Sequence, residues 1–88
     1  MSKKDALLAL RDKIDALDVQ IMESISQRAN FAQQVAHVKK SLGDAAYYRP
    51  EREAQVLRRV MESNAGPLDN EDMARLFRQI MSACLALE

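Results

Sequence analysis

The sequence predicts an all-α fold of three helices, one long and two shorter, and three observations carry that expectation. Apolar residues recur at three-four spacing along the chain, and glycine and proline fall in only two places, Gly43 to Pro50 and Gly66-Pro67. The third observation is the first breaker-free segment, too long for so small a chain to cover.

That segment runs from about residue 4 to residue 42. It places Leu7, Leu10, Ile14, Leu17, Ile21, Ser24, Arg28, Phe31, Val35, Val38 and Leu42 at alternating three- and four-residue steps, and nine of these eleven are apolar. A single helix with a coiled-coil-like seam follows. The second helix is expected over about 50–63: Pro50 suits a first helical turn, and Val56, Leu57, Val60 and Met61 share a side. The third is expected over about 70–88, with Asp69 as N-cap, Asp72 completing a variant capping box, and Met73, Leu76, Phe77, Ile80 and Met81 turned inward. Neither repeats nor low-complexity tracts occur, so residues 1–88 read as one domain.

Length then fixes the assembly. A helix of about 38 residues is about 57 Å long at 1.5 Å per residue, whereas a compact 88-residue globule has a radius of gyration near 12 Å. The later helices would shield part of the seam and a second copy the rest. An intertwined homodimer is therefore expected.

Composition excludes several classes. With 48% apolar residues and 13 basic against 13 acidic side chains, the chain is not disordered in character, and it has no net field to hold nucleic acid or an anionic membrane. Its longest apolar run, Ala6 to Leu10, is too short to span a bilayer, and Met1 to Asp5 resembles no signal peptide, so a cytoplasmic location is expected. His37 has no partner at ligand spacing, so no metal site is expected. No phosphate loop and no Ser/His/Asp pattern is present.

The informative positions are ionisable residues where apolar ones belong. Arg28 interrupts the seam; by itself it reads as a register device. Lys39, eleven residues on, lies about 20° from the same face and about 16 Å along the axis, so the two side chains can close on one small anion, although Lys39 by itself also reads as a lysine snorkelling from the edge of the seam. Glu53 falls within about 30° of the apolar face of the second helix, where a carboxylate wants a partner or ligand, although in a first turn it also suits the helix dipole. Arg52 points more than a right angle away, a flanking position. Cys84 and Glu88 continue the inward stripe of the third helix, Cys84 as a small apolar core residue and Glu88 inward unless the end frays. Arg11 reads either as an exposed partner of Asp15 or as a group for a neighbouring helix. It stands about 25 Å from Arg28 and about 100° round, so the two would meet at one site only across an antiparallel dimer.

Taken together, Leu7-Leu-Ala-Leu-Arg11-x-x-Ile14-x-x-Leu17-Asp18, then Arg28, Lys39, Tyr48-Arg49-Pro50-Glu51-Arg52-Glu53 and Arg75-Leu-Phe-x-x-Ile80 resemble the all-helical chorismate mutases. The likeness covers essentially the whole chain and is nearest to the N-terminal mutase domain of bifunctional chorismate mutase/prephenate dehydratase proteins. It implies the cofactor-free pericyclic conversion of chorismate to prephenate, in phenylalanine and tyrosine biosynthesis. By this resemblance Arg28 and the other subunit's Arg11 hold the two carboxylates, Lys39 reaches the ether oxygen and a carboxylate, Glu53 accepts from the ring hydroxyl, and Arg52 supports. Ending at Ala86-Leu87-Glu88 in what reads as an uncapped helix, the chain reads as an excised domain, and whether a prephenate dehydratase domain follows it is left open by the sequence. Three positions depart from the family pattern. Arg49 stands where many relatives have Asp, Cys84 where a Ser commonly helps a carboxylate, and Glu88 where bacterial relatives often place a Gln donor. A thiol donates poorly, and a Glu donates only when protonated. Two other readings compete: an isochorismate-pyruvate lyase of the same fold, and a non-enzymatic helical dimerisation module.

Overall fold

A computed structural model describes residues 2–42 and 50–88, and all regular structure in them is helical. Helix α1 spans Lys3–Leu42, α2 Pro50–Ser63 and α3 Asn70–Leu85. The molecule measures 62 × 23 × 16 Å with a radius of gyration of 17.4 Å, well above the about 12 Å of a compact chain of this length. Its long dimension is α1 itself, whose 40 residues extend about 60 Å. No helix is long and apolar enough to cross a membrane among the described residues.

Each helix end has a local cause. At α1 the backbone N–H of Asp5 donates to Ser2 Oγ at 3.1 Å, and the N–H of Ser2 donates back to Asp5 Oδ2 at 3.4 Å, a reciprocal capping box. Helix α2 opens on Pro50 with Glu51 and Glu53 in its first turn, where carboxylates favour the helix dipole. Asp69, in an extended conformation, caps α3 by accepting from the Asp72 N–H at 2.8 Å. The box expected there is half formed, because Asp72 turns its own carboxylate to Arg75 at 2.6 Å. The third helix stops at Leu85, short of 88: the N–H groups of Leu87 and Glu88 bond back three residues to Cys84 and Leu85 at 2.9 and 3.0 Å. That tighter turn satisfies terminal carbonyls, so the end is closed rather than an uncapped helix.

Packing departs from the expected seam. Helix α3 lies against both α1 and α2, while α1 and α2 make no close approach to each other among the described residues. The buried residue of α1 is Ala32, with Ala29 and Ala36 half-buried, so α3 docks on a strip of alanines. Phe31, Val38 and Leu42 stand roughly 80° to 120° round the helix from Ala32 and are exposed. Small side chains let two helices approach closely; the bulky ones beside them stay exposed. On α2, Val56, Leu57, Val60 and Met61 are half-buried against α3, whose Ala74, Met81 and Cys84 are buried. Leu76, expected inward, is exposed because it lies about 140° from Met81. Gly66, in the connection between α2 and α3, has a φ of 83°, a left-handed conformation that glycine adopts without strain.

Asp69→Ala should lower the unfolding free energy by about 1 kcal/mol, with Asp69→Asn nearly neutral, measured by denaturant unfolding at one fixed protein concentration. Equal midpoints for all three proteins would show that this cap contributes nothing.

Candidate functional site

One cavity of about 680 Å³ opens where the C-terminal half of α1, the first turns of α2 and the last turns of α3 converge. The helical register explains why charge gathers there. Arg28 and Lys39 lie about 40° and 20° from Ala32, both toward the seam, at the edge between the docked alanine strip and the open apolar face. Both are half-buried and both line the cavity, together with Arg52 and Glu53 from α2, Cys84 from α3 and Glu88 from the turn that closes α3. Three elements far apart in sequence thus bring three cations and two carboxylates to one space, a sum of one positive charge.

The individual placements differ from simple face counting. Arg52, expected on the flank, is exposed and also borders the cavity, while its guanidinium donates to Gln55 Oε1 at 2.9 Å. Cys84 is a free thiol, 4% exposed, in the apolar part of the wall with Ala32, Val56 and Met81. Glu88 is exposed overall yet lines the cavity, held there by the turn that ends α3. Gln34 also lines it, and nothing in its spacing singles it out, since it lies about 160° from Ala32. Arg49 lies outside the described residues.

Arg11 is not among the residues round the cavity. It is exposed on the N-terminal half of α1 and has no ion-pair partner among the described residues, Asp15 included. Along that half, Leu7, Leu8, Leu10, Ile14, Leu17, Val19, Ile21, Met22 and Ile25 are all exposed. Counted at 100° per residue they cover an arc of about 200°, wider than the stripe one helix buries against one neighbour. The cavity has the same open character on one side, where exposed Phe31, Val35 and Val38 form its rim.

Residues 10–88 match the family model of chorismate mutase type II, a range that contains every residue of the cavity and Arg11. The chain is 60% identical over 92 aligned positions to the bifunctional chorismate mutase/prephenate dehydratase of Stutzerimonas stutzeri, and 58% identical to that of Pseudomonas aeruginosa. Both alignments take in 100% of this chain and 25% of the relative, so the chain spans about a quarter of the length of the curated relatives it matches. Among solved structures, a chorismate mutase of Thermus thermophilus superposes with a TM-score of 0.87 at 30% identity, covering 93% of this chain and 92% of that one. The chorismate mutase of Helicobacter pylori, solved with prephenate, shares the fold at a TM-score of 0.83 and 24% identity, over 94% of this chain and 89% of its own.

Proposed function

The chain belongs to the type II chorismate mutase family, and from that membership we propose that it rearranges chorismate to prephenate in the cavity between its three helices. It is an enzyme of the isomerase class, and the observation that carries the site is the gathering of Arg28, Lys39, Arg52, Glu53 and Glu88 round one space. The direct test is the ultraviolet loss of chorismate with the purified protein.

The reaction asks little of covalent chemistry. A carbon–oxygen ether bond breaks while a carbon–carbon bond forms in the same molecule, and no proton or electron leaves the substrate. Catalysis therefore rests on holding the enolpyruvyl arm over the ring and on placing donors where negative charge builds on the ether oxygen. In this reading Arg28 binds one carboxylate, Lys39 the ether oxygen and a carboxylate, and Glu53 accepts from the ring hydroxyl. Arg52, whose guanidinium is tied to Gln55, supports the anion from the rim. Cys84 sits where a better donor would help a carboxylate, and its thiol contributes mainly shape.

The second carboxylate is assigned to Arg11 of the partner subunit. Two observations support a homodimer with shared sites: the broad exposed apolar arc of the N-terminal half of α1, and the open apolar rim of the cavity. Charge supports it as well, since a partner arginine raises the site from one net positive charge to two, the complement of a dianion. Because the matched relatives carry both activities in one chain, we also assign this mutase to work beside a prephenate dehydratase domain that consumes its product, in the cytoplasm.

Arg11→Ala and Arg28→Ala homodimers should each be nearly inactive, and mixing them under subunit exchange should restore about one working site per heterodimer, because the second site collects both defects. No recovery in heterodimers that demonstrably form would refute the shared geometry. Lys39→Ala should lower kcat at least about a hundredfold, as for a lost oxyanion donor, with a smaller change in KM. Unchanged kcat with a raised KM would reduce Lys39 to a docking charge.

Glu88 puts a carboxylate beside the proposed site of a dianion, where a glutamine amide would donate without adding negative charge. Glu88→Gln should therefore raise kcat/KM for chorismate loss, and no effect of the substitution would leave the ether oxygen to Lys39 alone.

A further inference from the structure

The two helices that carry Arg52 and Glu53 on one side and Cys84 and Glu88 on the other are joined at the end remote from the cavity, and one side chain ties that joint. The Asn64 amide nitrogen donates to the Leu68 carbonyl at 2.8 Å and to Asn70 Oδ1 at 2.9 Å, while its oxygen accepts from the Gly66 N–H at 3.2 Å. Both ends of the amide are used, and flipping it would set donor against donor and acceptor against acceptor. Asn64 is half-buried. It links the residue just past α2 to the first residue of α3, across the turn whose Gly66 has positive φ.

Position matters here because of how α2 is held. Helix α2 approaches α3 and not α1 among the described residues, and within these its placement relative to Arg28 and Lys39 runs through α3 and through this joint. None of its residues is fully buried. Glu53 lies eleven residues from Asn64, about 16 Å along the helix, so a swing of about 5° at the joint would carry its backbone about 1.4 Å. A displacement of about 1 Å at a site that works by positioning can cost a factor of about a hundred.

We propose that Asn64 is a positioning residue for the mutase reaction, one that fixes the angle between α2 and α3 and thereby holds Glu53 at working distance from the α1 cations. The inference rests on the reading of the cavity as the mutase site. Asn64 touches no substrate, and it acts through α2.

The test is a double-mutant cycle on the full chain, with kcat and KM for chorismate measured at a temperature where circular dichroism shows each variant fully helical. Asn64→Ala should lower kcat by about tenfold, and in the Glu53→Ala background it should add less than about twofold, because the group it positions is already gone. A lowered melting temperature with unchanged kcat and KM, or effects of the two substitutions that multiply, would overturn the proposal. Should Asn64→Ala fail to fold, Asn70→Ala removes one of the three bonds and leaves the others: a smaller, non-multiplying loss of kcat supports the proposal, and a change in melting temperature alone refutes it. Wild-type turnover in Glu53→Ala by itself would instead show that the cavity was misassigned, and the role of Asn64 would fall with it.

Discussion

Everything in this structure follows from a 40-residue helix that its own chain cannot cover. At about 60 Å, α1 outreaches α2 and α3, which lie along its C-terminal half and leave the N-terminal half bare. A chain that buries only Ala32, Ala74, Met81 and Cys84 among its described apolar residues has little core of its own, since small chains already bury a low share of their surface. The exposed leucines and isoleucines of the N-terminal arm are thus not ordinary surface residues. They form one continuous apolar band, of a size that monomers rarely leave open to water.

The same constraint sets the chemistry. Because α3 docks on Ala29, Ala32 and Ala36 rather than on the bulky seam, Arg28 and Lys39 sit at the boundary between a closed contact and an open one. Had α3 covered Phe31 and Val38 instead, the two cations would have turned to the far edge. Alanines at the contact therefore act twice, permitting close approach of the helices and rotating the charged positions into the cavity. The cations keep one side toward α3 and the other toward the open apolar face, where a second copy, in the proposed dimer, would exclude water and strengthen each charge interaction.

Much of this was legible in the residues and some was not, for physical reasons. Three-four spacing located the helices because burial imposes that period, and Arg28, Lys39 and Glu53 stood out as charges on apolar faces; all three line the cavity. Asp69 was readable as a cap because only a short polar side chain satisfies the free N–H groups there. Which face of α1 would be buried was not readable: the seam is the more apolar face, yet steric closeness favoured the alanine strip beside it. Arg52 is exposed and tied to Gln55, in keeping with the flanking direction of its angle count, yet it borders the cavity as well, because such a count follows Cα positions and a long side chain covers more than one face. The capping box at Ser2 and Asp5 was in plain view, in a segment read only for its lack of a leader.

The proposed rearrangement calls for neither nucleophile nor base and so puts unusual weight on geometry. If the substrate supplies every reacting atom, the protein's share is the arrangement of charges before the reaction begins, and a thiol at position 84 or a carboxylate at 88 is tolerable so long as that arrangement survives. The arrangement is held from remote points: the alanine strip fixes α3 on α1, the terminal turn at Leu87 and Glu88 fixes the last wall, and the Asn64 amide spans the joint between α2 and α3. Apart from the Glu88 carboxylate itself, none of these brings a charge to the cavity. Such a site should be sensitive to changes far from it, because on rods of 14 to 40 residues a small angular error at one end becomes an ångström at the other.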